Sequence, residues 1–158
     1  MPTRSAGLLL HRTRSDRTVE VLLVHPGGPY WAKKDAGAWS IPKGEYDDED
    51  PLGAARREFT EELGQAPPDG EAIALGEVRQ KGGKWVTAWA VEGDLDTATV
   101  VSNTFTIEWP PRSGTNQEFP EIDRAEWFTL EEASRRILEG QRPLLDELRA
   151  SRGRSSTS

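Results

Sequence analysis

Glu58, Glu61 and Glu62 stand three and four positions apart in the run Arg57-Glu58-Phe59-Thr60-Glu61-Glu62-Leu63-Gly64. On a helix that spacing places all three carboxylates on roughly one side. Each like-charge pair then costs about 0.2–0.5 kcal/mol at a surface, and more when partly buried. A hard divalent ion such as Mg²⁺ or Mn²⁺ takes oxygen ligands and would relieve the repulsion. Arg57 lies four residues before Glu61 and eight after Glu49. That is close enough for a bidentate pair that orients one carboxylate, so Arg57 reads as a positioning residue rather than a substrate anchor. The same periodicity also describes the solvated face of a charged helix, and spacing alone leaves both readings open.

A helix must hold these residues, and its ends are marked. Asp50-Pro51 is a capping carboxylate followed by proline at the first helical position, and Leu63-Gly64 is a stop signal. Upstream, Ala6 to Leu10 and Val19 to Val24 are short apolar runs that predict two paired strands. His25 to Lys43 is rich in Gly, Pro, Trp and Lys and predicts an exposed, irregular loop with a short strand at Trp39-Ser40-Ile41. Downstream, Ala72 to Val78 and Trp85 to Val91 predict a hairpin around Lys81-Gly82-Gly83-Lys84. Val100 to Ile107 reads as extended, Pro110 to Gly114 as a loop and Ala125 to Phe128 as a last strand. Thr129 with Glu132 forms a capping-box pattern for a helix to about Glu139 or Gly140, and Pro143 to Ala150 predicts another. Strands interspersed with helices point to an α/β protein, a mixed sheet flanked by helices.

A chain of 158 residues suits one domain, here 1–150, with the Arg/Ser/Thr-rich segment Ser151 to Ser158 expected to be a disordered tail. The absence of cysteine excludes disulfides, thiolate zinc sites and cysteine nucleophiles, and fits a reducing cytoplasm. The apolar run near the start is too short for a signal peptide or membrane span, so a soluble, cytoplasmic protein without membrane contact is expected. A net charge of −7 argues against binding long nucleic acid, yet one cleft of an acidic protein can still take a small polyphosphate. His11 and His25 show no metal or triad spacing and receive no role.

The run from Arg57 to Gly64 resembles the second half of the Nudix box: Arg-Glu, an apolar residue, any residue, Glu-Glu, any residue, Gly. Glu49 falls where that box has its earlier glutamate, and Gly44 corresponds to its opening glycine. Two strands, a Trp-containing loop and Ile41-Pro42-Lys43-Gly44 precede the helix, as in that family. Two departures stand out: four residues separate Gly44 from Glu49 where five are usual, and Gln65 replaces an aliphatic residue. The resemblance implies an α/β/α sandwich and Mg²⁺-dependent cleavage of a phosphoanhydride bond in a nucleoside diphosphate derivative. It implies Glu61 and Glu62 as metal ligands, Glu58 as a further ligand or the base that activates water, and the Lys43 carbonyl completing the shell. Arg57, Glu58 and Glu61 make up the catalytic group. Family members often recruit another glutamate from a later loop. Of Glu118, Glu121 and Glu126, Glu121 is favoured, six residues before Trp127, the alternative being an exposed loop carboxylate.

For the substrate, Lys81 and Lys84 in the glycine turn, with Arg79 beside it and Lys43 before the box, are candidate phosphate contacts. Turn lysines that merely solubilise the surface are the alternative. Tyr30, Trp31 and Trp39 could stack on a base or pack into the core. The arrangement is most similar to the dinucleoside polyphosphate group, with nucleotide sugars such as ADP-ribose and nucleoside triphosphates as further small-molecule nucleotide substrates. Diphosphoinositol polyphosphates would favour a more basic cleft. A Nudix-like sensor that binds a nucleotide without cleaving it is the competing class, though such domains typically lack one of the helix glutamates. An isoprenoid diphosphate isomerase would ordinarily need a cysteine. A homodimer is left open.

Overall fold

Alternating apolar residues in the first two strands decide the layering. A computed structural model describes residues 4–156. In β1 (Arg4–Thr13), Ala6, Leu8 and Leu10 face one side of the sheet and Leu9 the other; in β2 (Val19–Pro26), Leu22 and Val24 oppose Val21 and Leu23. The first set packs against Ala54, Ala55, Phe59 and Leu63 of α1 (Pro51–Leu63). The second packs against Ala133 of α2 (Leu130–Arg136) and Leu144, Leu145 and Leu148 of α3 (Arg142–Ser156). Burying each such leucine or phenylalanine is worth about 1.5–3 kcal/mol. The result is the expected α/β/α sandwich around a mixed sheet.

The sheet runs β4 (Ile73–Gln80), β5 (Lys84–Glu92), β1, β2, β8 (Ile122–Thr129), with β3 (Lys43–Glu45) also on β1. β1 pairs in parallel with β5 from Arg4↔Trp85 to His11↔Glu92. Its other edge is divided: His11, Arg12 and Thr13 pair with β2, whereas Ser5, Ala6 and Gly7 pair with β3. Between them the Leu8 N–H donates to the Pro42 carbonyl at 3.2 Å, so the segment before the helix is stitched into the sheet. Gly7 permits this approach, since a Cβ there would lie 2.7 Å from both the Ile41 side chain and the Pro42 carbonyl.

The helix α1 has the predicted ends. The Asp50 carboxylate accepts from the Gly53 N–H, Pro51 opens the helix, and Gly64 closes it with φ of 71°. The hairpin β4–β5 also forms, and Trp39-Ser40 takes part in two isolated bridges, Val24↔Ser40 and Trp39↔Ile137. Three expectations need correction. α2 ends at Arg136, because the Arg136 carbonyl accepts from the Trp39 N–H and Ile137 joins that bridge. Only half of the capping box forms: the Thr129 hydroxyl accepts from the Glu132 N–H, but the Glu132 carboxylate turns to Arg135 and Arg136. The disordered tail is overturned for Ser151–Ser156, which continue α3; Ser151 is buried and Arg152 donates to His11 Nδ1 at 3.0 Å and Thr13 Oγ1 at 2.8 Å. Thr157 and Ser158 lie outside the described residues. A separate hairpin, β6 (Thr104–Glu108) with β7 (Asn116–Pro120), stands beside the loop after β2. Among the described residues no helix is long and apolar enough to cross a membrane.

His11 is buried, and among the described residues its Nε2 has no hydrogen-bond partner. Burial pushes it below its ordinary value of 6.5, the Arg152 charge adding to the effect. A histidine with a lowered folded value contributes stability that is intact above the unfolded value and is lost as pH falls through the folded one. Tm should therefore fall between pH 7 and pH 5, and His11→Gln should flatten that fall; identical pH profiles for the two proteins would refute the assignment.

Candidate active site

The box helix delivers its carboxylates into two different surroundings. On the outer side Arg57 gathers two of them together with Glu49 from just before the helix: it donates to Glu49 from both Nε, at 3.1 Å, and Nη2, to Glu58 at 2.8 Å and to both Glu61 oxygens at 3.2 Å. These bonds, that to Glu49 first, raise the guanidinium above its ordinary range and lower Glu49 below its own. Arg57 thus positions carboxylates, as its spacing suggests.

On the inner side Glu58 and Glu62 face β3. Glu62 Oε2 accepts from the Lys43 N–H at 3.3 Å. Burial pushes Glu62 up to about 8, and raises Glu58 with further help from the charges of Glu61 and Glu121. Lys43 is pushed down, first by burial and then by Lys84, against the opposing pull of Glu62. Gly44 makes room for this arrangement, because a Cβ there would fall 2.0 Å from the Glu58 carboxylate.

Glu121 arrives from the junction of β7 and β8. Its N–H donates to the Asn103 carbonyl at 2.8 Å, and its carbonyl accepts from Gly27 at 2.9 Å. Both Glu58 and Glu62 feel its charge. By contrast, Glu118 lies out on β7 opposite Thr106, and Glu126 is 4.0 Å from Arg124. Glu62, Lys43 and Glu121 line a cleft of about 210 Å³, whose other walls are apolar apart from Ser40 and include Trp31.

Among the described residues no three His, Cys, Asp or Glu side chains form a group that could hold a metal ion, and Glu61 is kept on Arg57. The donor set nevertheless suits a hard cation: burial penalises the charge of Glu58 and Glu62, the charge of the exposed Glu121 acts on both, and the space over Gly44 would be filled by any side chain.

Of the substrate candidates, Lys43 lines the cleft and Lys84 stands near enough to depress it. Arg79 is exposed with its guanidinium 5.8 Å from the Trp85 ring, and Lys81 is exposed at the turn; nothing in the geometry links either to the carboxylates. Trp39 requires correction as a substrate contact. It is fully buried, edge-on to His25 and Phe128, with its indole N–H donated to Asp35 at 2.8 Å.

Gln141 escapes sequence reasoning altogether. It is fully buried and joins three segments: its carbonyl oxygen accepts from the Ile41 N–H at 3.0 Å, and its amide donates to Ser40 Oγ at 2.9 Å and Gln80 Oε1 at 2.6 Å. The approach to Lys43 is thereby tied to the end of β4. Gln141→Met keeps the bulk but leaves the Ile41 N–H unpaired, which should cost about 1–3 kcal/mol. Urea unfolding reads this out, and an unchanged midpoint would mean that the bonds contribute nothing.

The family model of the NUDIX domain matches residues 1–148, and the chain belongs to that family. Among solved structures, an Ap4A hydrolase from C. elegans, seen in a binary complex, is 23% identical with TM-score 0.64, covering 96% of this chain and 98% of that one. RenU, a Nudix hydrolase from M. smegmatis, is 24% identical with TM-score 0.58, covering 94% and 84%. The NUDIX domain of Shewanella oneidensis NrtR, complexed with ADP ribose, is 16% identical with TM-score 0.58, covering 96% and 88%. No curated protein matches the sequence significantly.

Proposed function

We propose that this protein is a Mg²⁺-dependent hydrolase that cleaves a phosphoanhydride bond in a nucleoside diphosphate derivative, with dinucleoside polyphosphates as the first substrates to try. The observation that carries the reading is that Glu62 and Glu121, from α1 and the β7–β8 junction, line one cleft with Lys43, while the charge of Glu58 acts on Glu62 beside it. Glu62, Glu121 and the Lys43 carbonyl would hold the ion, with Glu61 joining on release from Arg57. Mn²⁺ suits the same oxygen donors. Once bound, the ion supplies positive charge to the diphosphate and eases loss of a proton from water.

The chain's own residues do the rest. Glu58, whose proton affinity is raised by burial, takes the proton of the attacking water at its carboxylate, and Arg57 holds that carboxylate in place. Lys43 and Lys84 approach the same phosphate chain and balance its charge. The competing reading is a nucleotide sensor that binds without cleaving; the NrtR domain complexed with ADP ribose is a NUDIX domain with a nucleotide bound.

Product analysis with Mg²⁺ against diadenosine tetraphosphate, ADP-ribose and nucleoside triphosphates separates the two. Turnover of one member is expected. Nucleotide binding without turnover of any would establish the sensor.

A further inference from the structure

The cleft lined by Lys43, Glu62 and Glu121 is closed elsewhere by apolar groups, chiefly Val24, Pro26, Ala38, Ile122 and Leu138, with the half-buried indole of Trp31 among them. The loop carrying Trp31 is pinned from several sides. His25 Nε2 lies 2.6 Å from the Lys34 carbonyl, Arg136 donates to Asp35 at 2.5 Å, and Gly27 donates to Glu121. The Lys34 ammonium rests 4.9 Å from the Trp31 ring. An aromatic surface held this firmly in one cleft with the proposed phosphate-binding residues is suited to receive a ring that is joined to the phosphates.

Among the described residues the backbone of these walls has no free N–H group to offer that ring, and the side-chain donors are the Trp31 indole N–H and the Lys43 ammonium. The N–H groups of Val24, Trp31, Ala38 and Leu138 already donate to carbonyls, that of Ile41 to Gln141 and that of Ile122 to the Ser102 hydroxyl. The Ser40 hydroxyl donates to the Ile41 carbonyl and accepts from Gln141. A volume of about 210 Å³ is also below the roughly 300–1,000 Å³ of pockets that enclose a drug-sized ligand. One planar ring fits, and a whole dinucleotide does not.

We infer that Trp31 is the stacking seat for a single nucleobase of the substrate, recognised by shape and not by its hydrogen-bonding edge. The enzyme then separates a nucleotide from a bare phosphate chain but hardly separates one base from another. An apolar pocket discriminates by only about 10–200-fold, whereas a site built to pair with polar groups reaches 10⁴–10⁵. The inference rests on the phosphoanhydride reading for the placing of the phosphates, and its test is independent of turnover.

Equilibrium dialysis with Mg²⁺ measures binding of α,β-methylene-ADP, α,β-methylene-GDP and methylenediphosphonate to the wild type, Trp31→Ala and Trp31→Phe. Stacking on an aromatic side chain contributes roughly 5–150-fold in affinity. Trp31→Ala should weaken both nucleotide analogues by about tenfold and leave methylenediphosphonate unchanged. Trp31→Phe should retain nucleotide affinity within about threefold, and the two bases should differ by less than about 200-fold. Undiminished nucleotide binding by Trp31→Ala, no measurable binding of either analogue by the wild type, or a preference for one base above about 10³-fold would overturn the inference. Intact, Trp31-dependent binding in a protein that hydrolyses nothing would leave this seat standing and remove only the catalytic reading.

Discussion

Glu62→Gln should lower turnover by about 10³-fold or more and, in the same molecule, make the metal-free protein harder to unfold at alkaline pH. The two effects share one cause. Glu62 is an acid held where burial penalises its charge, and its folded value stands near 8 against an ordinary 4.5. A raised folded value contributes stability that is complete below the unfolded value and is lost as pH rises through the folded one. Above pH 8 the wild type must therefore either bear a buried carboxylate charge or begin to open, while glutamine carries no such charge. In the proposed function the same charge holds the cation, so relieving the strain should remove the activity. Thermal unfolding in EDTA at pH 4.5 and pH 9 checks the first half; the variant should exceed the wild type by several degrees only at pH 9. Steady-state hydrolysis with Mg²⁺ checks the second. Full activity in the variant, or a lower Tm at pH 9, would contradict this account of Glu62.

Gly44→Ala should lower kcat by about 10²-fold and change stability little. The added Cβ would fall 2.0 Å from the Glu58 carboxylate, while the nearest clashing atoms belong to the end of a side chain and not to backbone. Glu58 can swing away at small cost to the fold. With Glu58 as the proposed base, catalysis lacks that freedom, because a misplacement of about 1 Å in a reacting group can cost 10²-fold. Comparing kcat with the urea midpoint of the same variant separates the two quantities. Loss of both together would mean that β3 itself had been displaced from β1.

What sequence made legible is largely what is local. The ends of α1 rest on Asp50, Pro51 and Gly64, each acting within a turn of its neighbours, and the grouping of Glu58, Glu61 and Glu62 follows from helical spacing alone. Glu121 is singled out by its place six residues before Trp127, on the approach to the last strand. The errors are long-range. Trp39 lies in a segment rich in Gly, Pro and Lys, a composition that reads as exposed, yet Phe128 and Ile137 bury it from nearly a hundred positions away. Gln141 looks like an ordinary residue before Arg142-Pro143, and its partners at Ser40, Ile41 and Gln80 exist only in the folded chain. The Arg/Ser composition after Ala150 suggests an unfolded tail, but Arg152 finds His11 and Thr13 at the far end of the sequence.

The divided edge of β1 also bears on how the molecule is made. Its longest partner, β5, leaves the ribosome some eighty residues after it, and β3 and β2 each cover only part of the opposite edge. A strand that waits so long for its neighbours keeps open backbone groups during synthesis and depends on closing a large loop, which places assembly in the slower, non-local regime. Nascent chains ending before Lys84 should therefore leave the Leu8-Leu9-Leu10 stretch open to chaperones or to other chains, and protection of those amides should appear only once Glu92 has emerged.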